Sequence, residues 1–275
     1  MTFSDKDIDA LDGILRRAAA EQIAPRFRRL EDNQVREKKS ALDLVTEADV
    51  AAEHAIEAAL REAYPDAIIV GEEAAEKDPS IIGALHGAAL AFVIDPIDGT
   101  YNFASDMPLF GVMLAVVVKG ECVAGVIHYP VTGESLIGLK GAGSRLVDER
   151  LVSRPALVAE PVPLSEMIGT ITWSLMEEPR RSRVAGNMAK IAMTFHLRCS
   201  AWEYRIVATG KAHFIGGQRL LPWDHLAGVL IHQEAGGYSA RLDGSPYLPG
   251  MTDGGLITAP DRDTWRLIRS EIIGS

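Results

Sequence analysis

Leu90-Ala91-Phe92-Val93-Ile94-Asp95-Pro96-Ile97-Asp98-Gly99-Thr100 sets a short apolar run directly against two aspartates three positions apart. Leu90 to Ile94 reads as a buried strand, and Asp95-Pro96-Ile97-Asp98-Gly99 as the turn that ends it. A backbone bent there aims both carboxylates and a carbonyl at one point. The stretch before it repeats the arrangement: Ala67 to Val70 is apolar and stops at Gly71-Glu72-Glu73. Acids at the ends of neighbouring strands are placed for a site.

Working outward, Gly111 to Val118, a Lys119-Gly120 turn and Cys122 to Tyr129 read as a hairpin, with Ser135 to Leu139 as a further antiparallel strand. On the N-terminal side, Ile8, Leu11, Ile14, Leu15, Ala18, Ala19 and Ile23 recur at helical spacing behind a Ser4 cap. A second amphipathic helix starts at Thr46-Glu47-Ala48-Asp49, which puts Asp49 in its first turn, and Pro65 stops it. This half, residues 1–153, is expected to be α+β. Arg154-Pro155 to Pro161-Val162-Pro163 reads as a connector. Beyond it strand and helix signals alternate: a strand at 168–173, helices at 180–189 and 202–209, a short strand at 213–215 and a helix at 223–235 closed by Gly236-Gly237. Residues 154–275 are therefore expected to form an α/β half.

Composition narrows the chemistry. With 275 residues, 47% hydrophobic and 24% charged, the chain has enough apolar surface for a large core and is not a disordered polymer. The formal charge of −10 makes the electrostatic term for nucleic-acid binding unfavourable. Cys122 and Cys199 form no CxxC pair, so a disulfide framework or zinc knuckle is not indicated and a reducing cytoplasm is expected. The opening Met-Thr-Phe-Ser-Asp-Lys-Asp lacks the features of a secretory signal, and Leu109 to Val118 is far too short to span a bilayer, so no membrane role is expected.

Oxygen ligands from several carboxylates suit a hard cation such as Mg²⁺. Asp95 and Asp98 supply two, and Glu72 and Asp224 are the natural additions; converging without a cation, they would repel one another and raise each other's pKa. The competing reading makes each acid an ordinary turn or cap residue, since Asp before Pro or Gly is common turn chemistry and Asp224 suits a helix start. The residues alone leave both open.

Gly71-Glu72-Glu73, Asp95-Pro96-Ile97-Asp98-Gly99-Thr100-Tyr101-Asn102-Phe103 and Pro222-Trp223-Asp224-His225-Leu226-Ala227-Gly228, followed by Glu234-Ala235-Gly236-Gly237, resemble the motifs of the inositol monophosphatase family. Asp43-Leu44-Val45-Thr46-Glu47-Ala48-Asp49 and Val207-Ala208-Thr209-Gly210 extend the resemblance over most of the chain. It implies a layered αβαβα sandwich whose two halves share one active-site cleft, and a lithium-sensitive, Mg²⁺-dependent phosphatase with two or three ions per site. Glu72, Asp95 and the Ile97 carbonyl would hold one ion, and Asp95, Asp98 and Asp224 a second, with Glu72 helping to place a third. Thr100 would orient the attacking water, Asp49 would accept the Thr100 hydroxyl proton, and backbone N–H groups of Gly99 and Thr100 would meet phosphate at a helix start. A homodimer is also implied.

The resemblance is weakest on the substrate side. Gly217, followed by Gln218, stands where inositol-specific members carry a hydroxyl-contacting Glu; Ala201, Glu203, Gly217 and Gln218 are the candidates for the leaving-group wall. The substrate expected is a small polyol, sugar or related phosphate, inositol-1-phosphate-like. Histidinol phosphate, fructose 1,6-bisphosphate and 3′-phosphoadenosine 5′-phosphate are alternatives that the family offers, as is a mainly regulatory role at the transcription machinery. Two rivals are set aside. Cys199 and Arg205 have cysteine-phosphatase spacing, but the residues between them lack glycine and look helical. No Gly-x4-Gly-Lys-Ser/Thr loop is present.

Overall fold

The computed structural model describes residues 2–40 and 43–274. Helix α1 (Asp5–Ala18) opens with a reciprocal cap, Ser4 and Asp7 each bonding the other's backbone N–H, and carries on in a wider turn to Ile23. Strands β1 (Val35–Ser40) and β2 (Asp43–Thr46) pair antiparallel and lead into α2 (Glu47–Ala63). Ile8, Leu11 and Leu15 of α1 and Ala48, Ala52, Ile56 and Leu60 of α2 are fully buried, as their helical spacing requires. The β1–β2 hairpin is not announced by the sequence, because Val-Arg-Glu-Lys-Lys-Ser alternates no apolar face.

A seven-stranded sheet follows. Its strands are β3 (Ile68–Gly71), which runs into helix α3 (Glu72–Lys77), then β4 (Ala91–Asp98), with α4 (Thr100–Ala104) after it, β5 (Gly111–Val118), β6 (Glu121–Tyr129), β7 (Glu134–Leu139), β8 (Gly143–Val147) and β9 (Ser153–Pro155). They lie side by side in chain order, with β3 and β4 parallel and every other pair antiparallel. All eight residues of β5 are buried. Val112, Leu114 and Val116 face α1 and α2, whereas Met113, Ala115 and Val117 face the other way, so the unbroken apolar run reflects cover on both faces.

The second sheet has five strands, ordered β11 (Met193–Thr194), β10 (Ile168–Thr172), β12 (Phe214–Gly217), β14 (Leu256–Ala259) and β13 (Tyr238–Arg241). The first three are mutually parallel, as a strand–helix alternation predicts. Helices α6 (Ser200–Ala208) and α7 (Pro222–Glu234) fill the space between the two sheets, and α5 (Arg180–Asn187) and α8 (Arg262–Ile268) cover the outer face of the smaller one. The result is the αβαβα sandwich. Helix α7 lies directly on the large sheet: a Cβ on Gly125 of β6 would sit 2.7 Å from the Ala227 carbonyl oxygen. Glycine at that position lets the helix approach and fixes where its first turn, bearing Asp224, comes to rest.

Candidate active site

The end of β4 is bent by a bulge. Asp95 pairs with Met113 and Asp98 with Gly111, so the segment through Pro96 and Ile97 holds one residue more than the partner strand. This re-aims both aspartates toward the same side. Gly99, at φ +89°, then turns the chain into α4, a left-handed conformation that glycine adopts without strain. Asp224 reaches the same place from the first turn of α7. One ligand oxygen from each of Asp95, Asp98 and Asp224 lies within 4.8 Å of the other two.

Asp95 and Asp98 are buried, and Asp224 is half-buried. Asp98 Oδ2 accepts from the Ala201 backbone N–H (2.5 Å) and the Cys199 thiol (2.9 Å). Asp95 Oδ1 is buried with no hydrogen-bond partner among the described residues. Burial, then the charges of Glu72, Asp98 and Asp224, push the Asp95 carboxyl well above its ordinary range. Asp224 is raised by burial and by Asp98 and Glu72. Asp98 rises to about 6 through burial, against the opposing bonds from Cys199 and Ala201. Three crowded acids and an orphaned carboxylate oxygen are a donor set that a hard divalent cation fits, since its charge offsets both repulsion and desolvation.

Glu72 borders the same cleft at the start of α3 but stands beside this compact triad. Lys38 Nζ donates to Glu72 Oε1 (2.8 Å) and Glu73 Oε1 (2.6 Å). Behind them Glu53 accepts from the N–H groups of Glu73 (2.9 Å) and Ala74 (3.0 Å), anchoring the start of α3. On the other flank, Thr100 Oγ1 lies 3.0 Å from both Asp49 Oδ1 and the Ile97 carbonyl oxygen. Asp49 Oδ2 in turn accepts from the Thr46 N–H (2.8 Å) and hydroxyl (2.5 Å). Burial raises Asp49 to about 7, with the Thr46 bonds pulling against it.

The acids open onto a cleft of about 600 Å³ whose far wall includes Thr172, Glu203, Gly217, Gln218 and Arg219. Glu203 accepts from the Leu197 N–H (3.2 Å), and burial raises it to about 7. Arg180 Nη1 donates to Gln218 Oε1 (2.9 Å). Ala201 differs from its expected place: its Cβ packs toward Gly111 and the residue is fully buried, so it meets the site through the N–H that holds Asp98. Lys38, Glu53 and Cys199 are site residues that sequence reasoning missed. Only Glu53 carried a signal, lying four residues after Asp49 on one helix face. Cys199 is no nucleophile: burial and then Asp98 push its thiol well above the usual thiol range, and Arg205 is paired with Glu134. His225 bonds Tyr204 and the Arg219 carbonyl oxygen through its two ring nitrogens, so it is a packed histidine.

The model of the inositol monophosphatase family matches residues 6–272. The chain belongs to the inositol monophosphatase family. It is 32% identical to the inositol-1-monophosphatase of Caulobacter vibrioides over 257 residues, covering 90% of this chain and 93% of that one. It is equally 32% identical to the Nus factor SuhB of Pasteurella multocida, covering 90% and 88%. A Thermotoga maritima protein named fructose-1,6-bisphosphatase/inositol-1-monophosphatase is 32% identical over 77% of each chain. Among solved structures, an IMPase of Thermotoga maritima superimposes with a TM-score of 0.78 at 26% identity, covering 98% and 96%. Like the inositol monophosphatase family as a whole, the chain is a metal-dependent hydrolase of small phosphoric monoesters. Among the described residues no helix is long and apolar enough to cross a membrane.

Proposed function

We propose that this chain is a Mg²⁺-dependent phosphatase of small polyol, sugar or related phosphates, using a water molecule as nucleophile. The observation that carries the reading is the convergent Asp95–Asp98–Asp224 triad, two of its members buried, with its unpartnered Asp95 oxygen, beside the Thr100–Asp49 pair. Glu72, Asp95, the Ile97 carbonyl, Asp98 and Asp224 are the residues for two or three Mg²⁺ ions. Bound Mg²⁺ supplies Lewis acidity, neutralising the carboxylates, easing ionisation of the attacking water and stabilising the ester oxygen as it leaves.

The chain's own groups do the rest. Asp49 holds the Thr100 hydroxyl proton, which leaves the Thr100 oxygen lone pairs free to accept from water and so orient it. Thr46 favours the ionised form of Asp49 by donating twice to its far oxygen, working against the burial that raises it. Gly99 and Thr100 present backbone N–H groups to phosphate. Cys199 and Ala201 hold Asp98 in place. Glu203, Gly217 and Gln218 line the side from which the alcohol departs, and Ala201 acts there only through its backbone. An acidic chain thus takes an anionic substrate because metal supplies the charge. The halves 1–153 and 154–275 face each other across the cleft in this reading, and the working form is a cytoplasmic homodimer.

The name of the Caulobacter vibrioides relative supports the phosphatase reading, and the dual name of the Thermotoga maritima protein supports a sugar-phosphate substrate. The SuhB relatives, named Nus factors, favour a second reading in which binding to the transcription machinery is the main role. The two separate in one experiment: kcat/KM for inositol, histidinol, sugar and nucleotide phosphates with Mg²⁺, then in EDTA. Turnover lost in chelator and restored by Mg²⁺ is expected. Undiminished turnover in chelator overturns the metal assignment, and no turnover on any ester favours the binding role.

A further inference from the structure

Arg198 lies in a backbone conformation that a glycine would occupy more easily. Its φ is +52°, and of the five non-glycine residues with positive φ among the described residues it alone borders the catalytic cleft. Strain of this kind, where it borders a site, points to a functional role. The Arg198 guanidinium is stacked over the Tyr101 ring, 3.6 Å from its centroid, and Tyr101 directly follows Thr100 at the start of α4. Such stacking fixes the plane of the fork, which suits arginine for bidentate contact with a carboxylate or phosphate. Arg219 adds a second cation to the lining, and its charge is felt at Asp224. Of the polar groups on that wall, Gln218 Oε1 already accepts from Arg180 and Glu203 Oε1 from the Leu197 N–H. A second anionic group on the substrate would meet the cations Arg198 and Arg219 there.

We propose that Arg198 is a specificity-determining residue, and that the substrate is a phosphomonoester whose alcohol part carries a second anionic group, a carboxylate or a further phosphate. This rests on the phosphatase reading of the same cleft. The test compares kcat/KM with Mg²⁺ for inositol 1-phosphate, 3-phosphoglycerate and fructose 1,6-bisphosphate, in the parent and in Arg198→Gly and Arg198→Lys. The parent is expected to prefer at least one of the two anionic esters over the neutral one by tenfold or more, and which one identifies the second group. Arg198→Gly should lower that preference about tenfold, mainly through KM, with Arg198→Lys restoring part of it. The glycine variant should melt no lower than the parent, because glycine fits the backbone. Equal rates on all three esters, or an equal loss on all three in Arg198→Gly, overturns the inference while leaving the phosphatase reading intact. Absence of any turnover by the parent instead removes the phosphatase reading and this inference with it.

Discussion

Replacing Asp95 by asparagine should make the metal-free protein more stable while abolishing its activity. At 4.8 Å, the outer separation within the triad, and an effective dielectric of about 20, two unit charges repel by about 3.5 kcal/mol. The folded chain can avoid this by taking up a proton, which for a carboxyl of ordinary pKa costs about 4 kcal/mol at pH 7. Either route costs a few kcal/mol that asparagine does not incur, and its amide can also donate to a neighbouring carboxylate. Allowing for the burial of that amide, the gain is about 2–3 kcal/mol, or roughly 4–12 °C in melting temperature for a chain of this size. Saturating Mg²⁺ reverses the order, since a ligand at 1,000 times its Kd stabilises the parent by about 4.1 kcal/mol and finds a broken donor set in the variant. Thermal melts in EDTA and in excess Mg²⁺, alongside phosphate release, read all three effects. A variant that melts below the parent in EDTA, or that gains as much as the parent from Mg²⁺, would refute the account of the triad as a cation site.

Three further outcomes follow from other parts of the structure. Gly125→Ala sets a methyl group 2.7 Å from the Ala227 carbonyl oxygen and meets backbone rather than a movable side chain, so it should cost about 1–3 kcal/mol in a denaturant titration; an unchanged midpoint would contradict the close approach of α7. Burial holds Asp49, Glu53 and Glu203 each at about 7, above their unfolded values. The native state therefore binds more protons than the unfolded one between about pH 4 and 7, and the metal-free protein should melt lower at pH 8 than at pH 5.5; a rising profile would count against it. Glu53→Gln removes a charged acceptor from two N–H groups at the start of α3, so the half-saturating Mg²⁺ concentration should rise several-fold with a smaller change in kcat. Equal proportional losses in both would mean that Glu53 does not position Glu72.

What could be read in advance divides along a physical line. Strands β3 to β7 and the helices against them were legible because burial imposes apolar runs and periodicity: β5 is apolar throughout because both faces are covered, and the stripe on α2 is apolar because one is. Strands β8 and β9 were not, and Arg154 and Pro155, expected to open the connector, lie in β9, whose three residues are all exposed and so carry no apolar signal. The acids at strand ends were legible as a group, but not their convergence, since Asp224 reaches Asp95 and Asp98 only once α7 has settled against Gly125. Hidden altogether were roles in which a residue acts through an atom that its type does not advertise. Ala201 contributes its N–H rather than its methyl group, and Cys199 donates a thiol proton to Asp98 rather than attacking anything. Lys38 sits in a strand whose charges look like a solvated surface, yet only 5% of its side chain is exposed, and its one positive charge bridges Glu72 and Glu73. These are the contacts that decide how negative the cleft is before any cation arrives. They pair Glu72 with a lysine and leave Asp95 with a bare oxygen, so charge is least compensated at Asp95, and that is where removing one carboxylate should change the protein most.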